Sequence, residues 1–479
     1  MMTKMTPHRM SGFCLIAVAL HIRVNLGNNE DGESSPCQDA GVYEDWLTDP
    51  AIFVREGWQG LQGLHVLCLW RSASGDVRLD AYRDALKQPE PEQHQLPGSA
   101  LKSWTSLRHA LSEVLQLNEP TNEWPHQEMK QAFGVFSAKG ERLSSAKAAL
   151  QSQLLFATVG GQWFWPPVRE GFVRRLPDLN MELETLSLSP VVYQVRGFLL
   201  QEECDEIIGL GGNRMQASPV TLMDKDKGKA AKEFRTSTQA RVNKRESPRL
   251  ASIDHRVGLL TRVPPSHNEE AQILRYEKTQ YYSAHLDNWD PQFYSDSSWF
   301  EYGHNNRYIT VFWYLTSVDM GGETIFPRAH GFPQPMDMFS CEAGLKVKPE
   351  KGTVIFWYSL QPNGNTDLNG LHAACPVEEG TKWSANYWVW NKPKTYNPGV
   401  NFEEPSEGDE DGATMTMGSA DAFLGEAFAG RRAKSSTFFG GAVLGFAVVA
   451  MIAIVVVGVL FLAGNCRHCR RMLGEAKVL

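Results

Sequence analysis

His285 and Asp287, in the stretch YYSAHLD, carry side chains that can hold a metal ion. They stand two residues apart, and on a strand such neighbours point to the same face. An imidazole and a carboxylate placed this way need one more ligand, a histidine from a distant strand, to complete a 2-His-1-carboxylate facial triad. That set leaves three coordination positions open, which suits non-haem Fe(II) working with O2. His372, in the turn-rich segment GNTDLNGLHAACPV, can supply the third ligand. Lys382 follows in TKWSANYWVW, which alternates like a strand. An ammonium facing the interior there would be costly without an anion to meet. H-x-D alone is a weak signal. The similar spacing in His126-Gln127-Glu128 reads as a surface accident.

These residues need a rigid frame. Between Leu183 and Lys392, short apolar runs rich in β-branched and aromatic residues, such as Ile309–Leu315 and Thr353–Ser359, are separated by Gly, Pro and Asn. This pattern predicts a β-sandwich or barrel, preceded by a helix over Gln201–Leu210. Upstream, residues 42–176 read as a small α/β region whose role the sequence does not reveal. Leu101, Trp104, Leu107, Leu111, Val114 and Leu115 recur at helical steps within Ser99–Leu117. Residues 134–143 read as strand and turn, 144–153 as a helix, and 154–165 as strand, turn and strand.

The segments RYEKTQYYSAHLDNWDP, NRYITVFWYLTSVDMGGETIFP and CEAGLKVKPEKGTVIFWYSLQPNGNTDLNGLHAACPVEEGTKWSANYWVW resemble the prolyl 4-hydroxylases, a family of Fe(II)/2-oxoglutarate dioxygenases. The resemblance runs from about Ser189 to Lys392 and includes RTSTQARV and RVGLLTRVPPSHNEEAQILRYE. It implies a mainly β fold, a double-stranded β-helix or jelly-roll with flanking helices. It implies Fe(2+), 2-oxoglutarate and O2 as reactants, L-ascorbate as reductant, and hydroxylation of a proline-containing polypeptide with release of succinate and CO2. Position by position, it implies that His285, Asp287 and His372 are both catalytic residues and metal ligands. Lys382, Tyr276 and Thr310 would bind 2-oxoglutarate, and Arg307 and Trp383 would border the substrate. Cys341 and Cys375 lie where the family often has cysteine. They are either a disulfide or two buried thiols, and Cys37 and Cys68 are open in the same way. Ala284 and Asn288 depart from the family's P-H-x-D-Y, and the aromatic stretch 289–305 reads as a loop able to cover substrate. Other readings are a 2-oxoglutarate oxygenase with another protein target, such as lysine, and a non-catalytic membrane-anchored binding protein that keeps the fold. The lysyl hydroxylases typically have Arg where this chain has Lys382.

The rest of the chain bears on compartment. Residues 1–24 read as a signal peptide, with Lys4 and Arg9 before the apolar Phe13–Leu20. Residues 393–437 form an acidic, flexible linker, and the uncharged run 438–464 is long enough for one transmembrane helix. Residues 465–479 are a short basic tail, in which Cys466 and Cys469 suggest lipidation. Gly441-x-x-x-Gly445 offers a face for a homodimer. With the signal peptide, this arrangement predicts a single-pass membrane protein whose catalytic domain lies in the lumen of the endoplasmic reticulum or Golgi. The net charge of −8 conceals a more acidic body held against two basic flanks, which argues against nucleic acid as a partner. A mean hydropathy of −0.33 excludes a multi-pass membrane protein.

Overall fold

The alternating runs form antiparallel ladders. The computed structural model describes residues 35–39, 43, 45–49, 60–88, 90–117, 133–290, 293–294 and 305–394. The signal peptide, His126, Glu128, most of the 289–305 loop and of the linker, the apolar run 438–464 and the tail lie outside these residues. Among the described residues no helix is long and apolar enough to cross a membrane.

A short helix α1 (Pro36–Asp39) precedes an N-terminal sheet of β1 (Leu64–Arg71), β2 (Val77–Tyr82), β3 (Glu92–Leu96), β4 (Gly134–Ser137) and β5 (Leu154–Thr158). Its strand order is β3-β2-β1-β5-β4. Helices α2 (Trp104–Val114) and α3 (Ala146–Ser152) cover one face, where Leu67, Leu69, Leu107, Leu111 and Leu155 pack together. Helix α2 is shorter than the predicted 99–117. It starts where the Ser103 side chain accepts the Ser106 N–H, and Gly98–Leu101 before it is a 3-10 turn. The Cys37–Cys68 disulfide ties α1 to β1.

The second part contains β6 (Val173–Leu176), β7 (Met181–Leu188), β8 (Val191–Val195), helix α4 (Gln201–Gly212), β9 (Gln216–Ala217), β10 (Thr238–Val242), helix α5 (Pro248–Thr261), β11 (Ala271–Tyr276) and β12 (Tyr282–His285). There follow β13 (Arg307–Tyr314), β14 (Met320–Gly321), β15 (Thr324–Phe326), β16 (Leu345–Val347), β17 (Val354–Tyr358), β18 (His372–Ala374), β19 (Val377–Glu379) and β20 (Lys382–Trp390). The nine-stranded major sheet has the order β6-β7-β8-β17-β13-β20-β11-β10-β9, and the facing four-stranded sheet the order β12-β18-β15-β16. Strands β14 and β19 pair separately. The architecture is mainly β and is consistent with a jelly-roll. The major sheet starts at Val173, inside the segment read from sequence as the N-terminal region.

Period-2 alternation gives the major sheet two apolar faces. Tyr276, Phe312, Tyr314, Ile355 and Trp357 meet Phe326 and Val347 of the smaller sheet. Ile273, Val311, Trp313, Ala385 and Tyr387 face away from it and pack with α4 and α5 through Ile207, Ile253 and Val257. The Ser247 hydroxyl caps α5 by accepting from the N–H groups of Arg249 and Leu250, and Pro248 occupies its first turn.

The stretch Gln162–Trp165, expected as a strand, is irregular. Tyrosine hydroxyls replace a neighbouring strand for its backbone. Tyr308 donates to the Trp163 carbonyl at 2.9 Å, Tyr193 to the Trp165 carbonyl at 2.7 Å, and the Trp165 N–H donates to the Tyr358 hydroxyl at 2.9 Å. Trp163, Phe164 and Trp165 are thereby buried in a core that includes Phe156 and Val66 of the N-terminal sheet and Tyr193 and Phe356 of the major sheet.

Candidate functional site

His285 ends β12 and His372 begins β18, and these strands pair so that the two histidines are direct cross-strand partners. Asp287 lies two residues beyond His285 and is buried. The Nε2 of His285 is 3.6 Å from Asp287 Oδ1, and that of His372 is 3.5 Å from Oδ2. One ligand atom from each of the three residues lies within 4.8 Å of the others. Each imidazole is oriented by the backbone. His285 Nδ1–H donates to the Ser283 carbonyl at 2.9 Å and His372 Nδ1–H to the Gly370 carbonyl at 2.8 Å. Because a carbonyl can only accept, this selects the tautomer whose Nε2 lone pair faces the centre of the cluster.

The protonation states match a metal-binding set. Burial pushes the His372 imidazole down to about 4, against the opposing pull of Asp287, so it is neutral near pH 7. Burial alone would raise the Asp287 carboxyl. His372, His285 and Arg307 outweigh it and hold the group well below the usual carboxylate range. A neutral His372 imidazole and an ionised Asp287 carboxylate are donors of the kind a divalent cation requires.

Neighbouring side chains fix these donors. The Thr310 hydroxyl donates to Asp287 Oδ2 at 2.6 Å, and Arg307 Nη1 donates to the Asp287 carbonyl at 3.3 Å. Arg307 is itself held by Glu269, through Nε at 2.7 Å and Nη2 at 3.2 Å, and lies 3.4 Å from the Trp388 ring centroid. Trp390 Nε1 donates to the same glutamate at 2.7 Å. The Tyr282 ring stacks on His285 at 3.6 Å, and the Arg235 guanidinium sits 4.4 Å over the Tyr282 ring. Tyr282 also lines a cleft of about 360 Å³ with Tyr281, Phe339, Cys341, Ala374 and Pro376. Cys341 and Cys375 form a disulfide.

Lys382 is fully buried, and among the described residues its Nζ has no hydrogen-bond partner. Its register partner across β11–β20 is Tyr276. The Nζ lies 5.3–5.7 Å from the ring centroids of Tyr276, Phe312 and Tyr314. Burial pushes the ammonium down to about 7, with Glu323 opposing. A buried cation without a hydrogen bond, on the inner face that also carries Thr310, fits the carboxylate of a small anion.

Two predicted roles change. Thr310, expected beside Lys382, commits its hydroxyl to Asp287. Trp383, expected at the substrate border, points to the other face of β20 and packs against the helix-side core. Side chains alternate along a strand, so the residue after an inward Lys382 must point outward. By the same rule Trp388, an even number of residues from Lys382, faces inward with Arg307. Glu269 and Tyr282 carried no sequence signal of their own.

Residues 271–390 match the sequence profile of the 2OG-Fe(II) oxygenase superfamily. The chain is 37 % identical over 209 residues to probable prolyl 4-hydroxylase 7 of Arabidopsis thaliana, which covers 43 % of this chain and 64 % of that protein. It is 38 % identical over 209 residues to probable prolyl 4-hydroxylase 6 of the same organism, covering 43 % and 70 %. It thus spans just under two thirds of the first of these relatives. Among solved structures, the viral collagen prolyl hydroxylase vCPH of Paramecium Bursaria Chlorella virus-1, in its 2OG complex, aligns at 24 % identity and a TM-score of 0.31, covering 42 % of this chain and 95 % of that one.

Proposed function

Since the chain belongs to the prolyl 4-hydroxylase family of Fe(II)/2-oxoglutarate oxygenases, we propose that it hydroxylates peptidyl-proline. His285, Asp287 and His372 hold the iron, and Lys382 with Tyr276 holds the distal carboxylate of 2-oxoglutarate. Iron(II) with 2-oxoglutarate and O2 supplies the oxidising power to hydroxylate a C–H bond, releasing succinate and CO2. The chain's own residues position. The backbone carbonyls of Ser283 and Gly370 keep both Nε2 atoms turned inward. Thr310 fixes the Asp287 carboxylate, and the aromatic walls around Lys382 exclude water and strengthen its attraction for an anion.

The observation that carries this reading is the buried Lys382 ammonium without a hydrogen-bond partner among the described residues, in the same domain as the cluster of three donors. The test is 2-oxoglutarate decarboxylation with Fe(II), with and without proline-rich peptides. A mass gain of about 16 Da on proline, the mass of one oxygen atom, is expected. Hydroxylation of a different residue, with proline peptides inert, would overturn the substrate assignment.

Ascorbate belongs to the proposal as the reductant that sustains repeated turnover, and its omission should shorten the linear phase of the assay. Anchoring by the uncharged run 438–464, with the catalytic part luminal, is likewise proposed from the sequence. Protease protection in sealed microsomes tests it, and digestion of the catalytic part there would reverse the orientation. Crosslinking with and without Gly441→Leu tests a dimer through the same run.

A further inference from the structure

The N-terminal sheet meets the second part at the loop that crosses from β17 of the major sheet to β18 of the smaller one and leads to His372. Gly63 precedes β1 and Gly160 follows β5, and Leu64 and Thr158 are register partners, so both glycines lie at one end of the sheet. The Gly160 N–H donates to the Pro362 carbonyl at 2.6 Å. A Cβ at Gly160 would stand 2.8 Å from that carbonyl oxygen, and one at Gly63 2.8 Å from the Asn363 backbone. Both contacts demand glycine, and Gly63 also has a φ of +86°.

The turn closes on itself through Gln361 N–H to the Asn365 carbonyl and Asp367 N–H to the Ser359 carbonyl. It then reaches chain neighbours of two of the metal donors, Asn288 beside Asp287 and Gly370 before His372. The Thr366 hydroxyl accepts from Asn288 Nδ2 at 2.9 Å, one residue beyond Asp287. Through Asp367, whose carbonyl accepts the Gly370 N–H, it sets the Gly370 carbonyl that orients His372.

We propose that the N-terminal module is a positioning element for the metal centre, acting through Gly160 and the 360–366 turn on Asp287 and His372. The inference rests on the reading of His285, Asp287 and His372 as metal ligands. It assigns residues 42–176 a part in holding the donor set rather than in touching substrate.

The test is Mn(II) affinity of the full chain, measured calorimetrically without 2-oxoglutarate or peptide, together with thermal unfolding of each metal-free variant. Gly160→Val and Thr366→Val are each expected to weaken Mn(II) binding about 10-fold, as loss of support around a ligand does. In the double variant the losses should be less than additive, because both cut one route. Gln162→Ala removes a bond to the Asn391 carbonyl at the same interface but away from the turn, and it should leave Mn(II) affinity unchanged. Unchanged affinity in Thr366→Val, strict additivity, or an equal loss in Gln162→Ala would overturn the proposal. If Gly160→Val does not fold, Gln62→Ala, which removes the acceptor of the bond from Asn363 Nδ2 at 3.4 Å, takes its place in the same comparison. Retention of Mn(II) affinity in His372→Ala would instead overturn the underlying reading of the ligands.

Discussion

His285 and His372 face each other directly across the β12–β18 ladder, with ring centroids 4.4 Å apart. One strand pair therefore fixes two donors that are remote in the chain, and Asp287 is brought to both by following β12. His285→Ala or His372→Ala should abolish 2-oxoglutarate-dependent succinate formation, with the β-rich circular dichroism spectrum retained. Activity near wild type in either variant would place the metal elsewhere.

Thr310 makes a separate prediction, because its hydroxyl donates to the carboxylate and its methyl group is already accommodated. Thr310→Val keeps the shape and removes the donor. Metal affinity should fall about 10-fold and recover in Thr310→Ser, since partners of metal ligands typically carry effects of that size. A raised KM for 2-oxoglutarate at saturating iron would show that Thr310 acts on the co-substrate after all.

Lys382 gives the chain a pH signature. Its pKa is pushed down by burial to about 7, whereas an unfolded lysine titrates near 10.4. Between these values the unfolded chain binds more protons, so stability is lost as pH falls through this window. Lys382→Met should therefore raise the melting temperature of ligand-free protein more at pH 7 than at pH 10. The same variant should raise the KM for 2-oxoglutarate, by loss of a charged contact worth roughly 1.5–3 kcal/mol. A melting-temperature difference independent of pH would show that the lysine is solvated.

Arg307 is gripped at two nitrogens by Glu269 and stacked on Trp388. Lysine cannot reproduce a planar fork. Arg307→Lys is expected to lower kcat/KM for a proline peptide at least 10-fold and to leave the KM for 2-oxoglutarate unchanged. Equal changes in both constants would show that it supports the whole site.

The sequence made the donors legible because their signal is local and repeated. His285 and Asp287 share a face by strand periodicity, and Lys382 opens a clearly alternating run. Trp383 packs on the face opposite Lys382 because adjacency in sequence is opposition in a strand. Glu269 stayed hidden because nothing near it in the chain shows that Arg307 and Trp390 converge on it. Gln162–Trp165 read as a strand because its side chains are those of a strand. Its partners are tyrosine hydroxyls from other elements, which no local pattern reveals. The cysteine pairs were open for the same reason: spacing along the chain does not state proximity in space.

The aromatic core shared by the two sheets has a consequence for how the molecule comes apart. Trp163, Trp165 and Phe156 are buried in one core with Tyr193, Tyr358 and Phe356, and Phe164 stacks on Tyr358 at 3.7 Å. A fragment that begins at the major sheet would present a bare aromatic wall to water and would self-associate. The described residues should therefore melt as one cooperative block, with a single transition seen alike by tryptophan fluorescence and by circular dichroism.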